Sequence, residues 1–221
     1  MSFYDYAYLT SNDAMQFVKA TGVTLYITLM SLFFGTVLGV LLGLVRCSKN
    51  RVVRTLPLLV IEPLRNSPLV TQLFLIYYGL PMVSRIMLDP YPAAILALSL
   101  NTAAFMGVLV HNSVSAVPDG QWEAGLALGH SRVSTFCHVI ARQALRLLVP
   151  QAITLYISQL QCSSLVALIS IMDLTKLGQN LALRTLRPFL VYGIVFLIYY
   201  VISSPLAALA RRLEKKLAFH Y

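Results

Sequence analysis

The chain has 221 residues, of which 58% are hydrophobic and only 11% charged, with a formal net charge of +9 and a mean hydropathy of +0.75. That composition excludes an ordinary soluble domain. A basic nucleic-acid-binding surface is excluded too, because it needs a soluble face that this chain barely has. The expected class is an all-α, polytopic membrane protein whose first partner is the lipid bilayer.

The N-terminal stretch MSFYDYAYLTSNDAMQF has no basic n-region and leads into a full-length apolar run, so no cleaved signal peptide is expected. Phe3, Tyr4, Tyr6 and Tyr8 fit an interfacial aromatic belt. A bilayer core of roughly 30 Å takes about 20 residues of helix, and five segments of that kind follow, at about 20–45, 57–80, 91–115, 147–171 and 188–210.

In the first, Ser31, Gly35, Gly39 and Gly43 recur every four residues, which lines one helix face with small groups and permits close approach of another backbone. The second is flawed. Pro63 and Pro68 should bend or break it, and Glu62, Arg65 and Asn66 are expensive at membrane depth. They fit either an ion pair one turn apart near the surface or a polar pathway. The turn LDPYP precedes the third span, where Asn101 and His111 are the polar positions and helix-to-helix hydrogen bonding is the simpler role.

Between the third and fourth spans lies a polar loop at about 117–147, containing GQWEAGLALGHSRVSTF. Asp119 is expected to cap a short helix that stops at Gly129, and Ser131 to cap a longer amphipathic one. The fourth span carries SQLQCSSLVALIS, in which Gln159, Gln161, Ser163 and Ser164 suit a hydrogen-bonding cavity better than an ion pathway. Cys47, Cys137 and Cys162 lack ligand-like spacing, so neither a disulfide framework nor a metal site is expected.

Orientation follows from Lys and Arg in the short loops. With the N-terminus outside, eleven basic residues fall inside (Arg46, Lys49, Arg51, Arg54, Arg132, Arg142, Arg146, Arg211, Arg212, Lys215, Lys216). Five fall outside (Lys19, Arg85, Lys176, Arg184, Arg187). The polar loop is therefore expected in the cytoplasm, where a short helix on a rigid base suits insertion into a groove of a soluble partner.

The segment EAGLALG followed by an amphipathic stretch resembles the EAA loop of ABC-importer permeases. RNSPLVTQLFLIYYGLP, LSLNTAAF, VPDGQWEAGLALG and QALRLLVP resemble, in order and spacing, segments of the polar amino-acid permeases, over about residues 17–212. The resemblance implies a five-helix type I importer permease of a bacterial inner membrane that carries a polar amino acid. The solute is left open among cystine, another sulfur-containing amino acid and a basic one.

It also implies the partners: a dimer of ATP-binding subunits, a second permease chain and an extracytoplasmic amino-acid-binding protein. No phosphate loop of the form G-x-x-x-x-G-K-[ST] occurs in this chain, so it needs no cofactor of its own and ATP with its magnesium belongs to the partner subunit. The resemblance assigns ATPase coupling to Glu123, Ala124, Gly125 and Gly129. For the solute pathway the expected residues are Arg65, Asn66, Ser67, Asn101, Gln161, Ser163 and Ser164.

Several positions depart from the family pattern. Gly125 replaces the third alanine of the EAA box, Ala141 and Arg142 replace Leu-Pro, Val108 an acid, His111 an arginine, and Gln161 with Cys162 a Lys-Asp pair. The coupling box survives better than the solute-facing positions, which favours pairing with a different permease chain that carries more of the solute contacts. A methionine-type permease, a secondary carrier and a membrane scaffold are the rival readings. A carrier should show internal repeats and midplane ionisable groups, and a scaffold has no use for a coupling box.

Overall fold

A computed structural model describes residues 8–217, and among these the chain is helical with no strands. Phe3, Tyr4 and Tyr6 of the expected aromatic belt lie outside the described residues. Tyr8 lies within them and carries the Arg187 guanidinium over its ring at 4.8 Å.

Among the described residues, four helices are long and apolar enough to cross a membrane: α1 (Ser11–Arg46), α5 (Pro90–Ser115), α7 (Arg132–Ile169) and α9, whose apolar helix runs Pro188–Lys216. The expectation of five such spans is corrected at the second. There the chain forms three shorter pieces, α2 (Arg51–Thr55), α3 (Leu58–Arg65) and α4 (Leu69–Ser84). Proline explains the break. α3 ends at Arg65 with Asn66 as its cap, and Pro68 is extended with ψ of 136°; its ring also disfavours a helical conformation at the preceding Ser67.

The carbonyls freed by that break do not go unpaired. The Gln72 Nε2 donates to Leu64 O at 2.7 Å, to Ser67 O at 3.1 Å and to the Ser67 hydroxyl at 3.0 Å. One buried amide thus replaces much of the missing backbone ladder, as an irregular segment away from water requires.

The expected ridge of small residues on α1 is the principal packing surface. A Cβ built on Gly35, Gly39 or Gly43 would stand 2.5–2.6 Å from the Cβ of Thr102, Met106 or Val110 on α5. The partner number rises with the glycine number, so α1 and α5 run parallel at a separation that only glycine allows. At the α1 N-terminus, the buried Asp13 carboxylate accepts from the Thr10 backbone N–H at 2.7 Å and from the Arg184 guanidinium at 2.7 Å.

Arg184 belongs to an amphipathic helix that was not anticipated, α8 (Leu174–Thr185). Its buried Leu174, Leu177, Gly178, Leu181, Ala182 and Thr185 follow the three-and-four spacing of a helix stripe. Leu174, Leu177, Leu181 and Ala182 pack with Phe17 and Ala20 of α1 and with Val191 and Val195 of α9. Gly39→Leu is expected to cost 1–3 kcal/mol, roughly, from overpacking alone, seen as a lowered melting temperature in detergent. Gly22→Leu, where an added Cβ meets nothing within 4 Å, should leave it unchanged.

Candidate functional site

Two regions bring the expected residues onto the page, and one helix joins them. The first is the polar loop. The short helix α6 (Asp119–Ala127) begins after Pro118, so Asp119 is its first residue and not its cap; its acid still faces the positive end of the helix dipole.

Gly129 has a φ of +83°, and its N–H donates to Leu126 O at 3.0 Å while His130 N–H reaches Gly125 O at 3.2 Å. This is the paired hydrogen-bond pattern that ends a helix in a left-handed residue, which glycine adopts without steric cost. Ser131 then caps the next helix, accepting from Ser134 N–H at 3.2 Å.

Gly125 is the buried residue of α6. A Cβ there would collide with the methyl of Thr135, itself fully buried on α7 with its hydroxyl on Ser131 O at 3.0 Å. The departure at Gly125 thus has a physical reason, since a threonine fills the space an alanine methyl would occupy. Trp122 stacks on Phe136 at 6.2 Å, Gln143 donates to Gln121 at 2.9 Å, and Val117, Ile140 and Ala144 form the core beneath.

This packing leaves Glu123 and Ala124 exposed. Beside them Leu126, Leu128 and Val133 are 41, 81 and 73% exposed. A carboxylate among apolar side chains, on a helix clamped from below, can dock on a complementary protein groove.

The base of that loop is continuous with the expected fourth span. Helix α7 runs without interruption from Arg132 to Ile169, passing through a π turn at Phe136–Ile140 and tightening into a 3-10 turn at Ser163–Ile169. No glycine or proline intervenes before Pro150, so nothing in the sequence stops the helix between loop and span.

The second region lies near the far end of α7. A cavity of about 310 Å³ is lined by Gln161, Ser164, Phe196, Tyr199, Tyr200 and Ser203. Gln161 and Ser164 were expected there. The α9 residues were not singled out, although 196, 199, 200 and 203 share one face by the three-and-four rule.

The other expected pathway residues are elsewhere. Asn101 accepts from Gln159 Nε2 at 2.8 Å, both buried, and Ser163 donates to Leu160 O at 2.7 Å. These are hydrogen bonds that pack helices and turns. Arg65, Asn66 and Ser67 mark the helix break. Asn66 donates to Glu62 at 2.9 Å, Arg65 stands 4.0 Å from Glu62 and 5.9 Å from the centre of the Phe105 ring, and Ser67 donates to Pro63 O at 2.7 Å. None of the three lines the cavity.

Behind the cavity, the Tyr199 hydroxyl pairs with the Thr175 hydroxyl at 3.2 Å. Thr175 stands in the first turn of α8, which is capped by Asp173 accepting from Lys176 N–H at 2.8 Å and secured by Leu174 N–H donating to the Thr24 hydroxyl at 3.1 Å. Burial pushes the Asp173 carboxyl above the usual carboxylate range, although the Lys176 N–H counters it. Among the departures, His111 Nδ1 stands 3.7 Å from the Cys47 sulfur, while Arg142 is exposed on α7.

A profile of the family described as "Binding-protein-dependent transport system inner membrane component" matches residues 35–219. The L-cystine transport system permease protein TcyB of Bacillus subtilis is 34% identical over 195 residues, covering 88% of this chain and 83% of that one. The glutamine transport system permease protein GlnP of Escherichia coli is 31% identical, with coverages of 90% and 92%. Among solved structures, an amino acid ABC transporter superposes with a TM-score of 0.86 at 27% identity, covering 98% of this chain and 99% of that chain. The MetNI methionine ABC transporter in an inward-facing conformation shares the fold, with a TM-score of 0.78 at 19% identity over 96% and 100% of the two chains.

Gly125→Ala should loosen α6 from its base by about 1–3 kcal/mol through overpacking, read as faster proteolytic cutting within 118–131. Thr135→Ala in the same chain removes the colliding methyl and should restore resistance.

Proposed function

Since the chain belongs to the family of inner membrane components of binding-protein-dependent transport systems, we propose that it is a transmembrane subunit of an ATP-driven amino-acid importer of a bacterial inner membrane. The relatives that transport L-cystine and glutamine and the amino acid ABC transporter that it superposes on support an amino acid as solute. Two ATP-binding subunits hydrolyse ATP, an extracytoplasmic binding protein delivers the solute, and a second permease chain, in this reading a different one, closes the pathway. The N-terminus lies outside, and the α6 end of the bundle faces the cytoplasm.

The observation that carries this reading is the course of α7. It begins beneath the exposed Glu123 and Ala124 and ends beside Gln161 and Ser164 of the cavity, with no break between. In this reading, closure of the ATP-binding dimer pushes on α6, the Gly125–Thr135 contact passes the push to α7, and the helix tilts as a rigid body to switch the cavity between outward-open and inward-open states. Glu123 and Ala124 make the contact, Gly125 seats the short helix, and Gly129 ends it so that Leu128 and Val133 project beside the acid. The solute meets Gln161 and Ser164. In this reading Arg65, Asn66 and Ser67, at the break in the second segment, line its approach, and Asn101 and Ser163 hold the surrounding helices.

Glu123→Arg places a cation at the docking surface. Membrane insertion and assembly with the second permease should persist, while ATP-dependent uptake in vesicles and solute-stimulated ATP hydrolysis fall to background. Unchanged uptake in that variant would remove the coupling role from Glu123.

A further inference from the structure

The cavity beside Gln161 has a composition that bears on what it accepts. Its lining offers an amide, two serine hydroxyls, two phenols and a phenyl ring, and no Asp, Glu, Lys or Arg. Its volume of about 310 Å³ is at the lower end for small-ligand sites, which join apolar and aromatic walls to a few placed polar groups. A charged side chain brought there would meet no opposite charge in the lining.

One of these groups is held from behind. The Tyr199 hydroxyl pairs with the Thr175 hydroxyl at 3.2 Å, which leaves the phenol hydrogen-bonding capacity for a ligand. Two separate helices, α8 and α9, therefore bring hydroxyls together beside the cavity. The nearest acid, Asp173, is fully buried at the head of α8 and is not part of the lining. Packing alone would be served as well by apolar residues, since interhelical hydrogen bonds in membranes add little stability.

Resting on the importer reading above, we propose that Tyr199 is the specificity-determining hydroxyl of this chain's solute site, oriented by Thr175, and that the site takes an amino acid with an uncharged, hydrogen-bonding side chain. Its phenol meets the solute's side-chain polar group, Gln161 and Ser164 supply the flanking donors and acceptors, and the rings of Phe196 and Tyr200 cover the aliphatic part. Thr175 is a positioning residue, because it touches Tyr199 and does not line the cavity.

The test is equilibrium binding of radiolabelled L-glutamine, L-cystine, L-lysine and L-glutamate to the assembled complex of permease chains and ATP-binding subunits. The binding protein is omitted so that its own selectivity does not intervene. The uncharged probes should bind at least tenfold more tightly than the charged ones. Tyr199→Phe keeps the ring and should weaken the uncharged probes about tenfold, the effect of one hydrogen bond to a pocket hydroxyl. Thr175→Val should do the same and Thr175→Ser should restore affinity, with copurification of the ATP-binding subunit confirming assembly of each variant.

Preference for L-lysine or L-glutamate, equal weakening of all four probes by Tyr199→Phe, unchanged affinity in that variant, or no saturable binding to a complex that still drives ATP-dependent amino-acid uptake would each overturn the proposal. If the wild-type complex drives no ATP-dependent uptake of any amino acid, the importer reading fails and takes this one with it.

Discussion

The close approach of α1 to α5 is the constraint on which the rest of the bundle depends. Three glycines on α1 lie where any Cβ would overlap α5, and at that separation dispersion contacts along two parallel helices replace the hydrophobic drive that lipid cannot supply. The α1–α5 pair then offers two surfaces to the other helices. Ile27 of α1 shares a core with Leu73 of α4, Ala94, Ala97 and Leu98 of α5, and Val166 and Ile169 at the end of α7. Nearer the other end, Met106 and Val110 of α5 pack against Ala152 of α7. Asp13 and Thr24 on α1 tie down the two ends of α8.

In the proposed transport cycle, α7 is the element that moves against that pair. It carries the loop at one end and the cavity at the other. Its irregular turns, the π turn at Phe136–Ile140 and the 3-10 turn at Ser163–Ile169, lie next to those two regions and not between them. Pro150 lies between them, inside the continuous helix, where its ring removes one backbone hydrogen bond. The Gly125–Thr135 contact and the Trp122–Phe136 stack make α6 part of the same body.

Polar residues in this chain divide by what their neighbours require. Gln72 and Ser67 satisfy carbonyls left open by a proline break, and Asn101 with Gln159 joins α5 to α7. Gln161 and Ser164 are near neighbours of Gln159 in sequence, yet they line a cavity. On a helix, positions two apart point to different sides, so a polar cluster in sequence need not be a polar cluster in space. That geometry split the expected pathway set.

Much was legible in the sequence because it depends on local chemistry and spacing. The four long spans follow from runs of apolar residues, the helix break from Pro68 (Pro63 sits within α3 without ending it), the small-residue ridge from its period of four, the loop helix from Gly129 and Ser131, and the family from several motifs in fixed order. The unanticipated α8 was also readable, since LTKLGQNLALRT carries a helix stripe, but its charges made it look like a connection. What the tertiary structure alone decided is which side chains meet across helices. Thr135 explains Gly125, Asn101 pairs with Gln159, Arg184 finds Asp13, and Tyr199 reaches Thr175. Each of those pairs is fixed by the rotation and depth of one packed helix against another, and neither quantity is set by local sequence period.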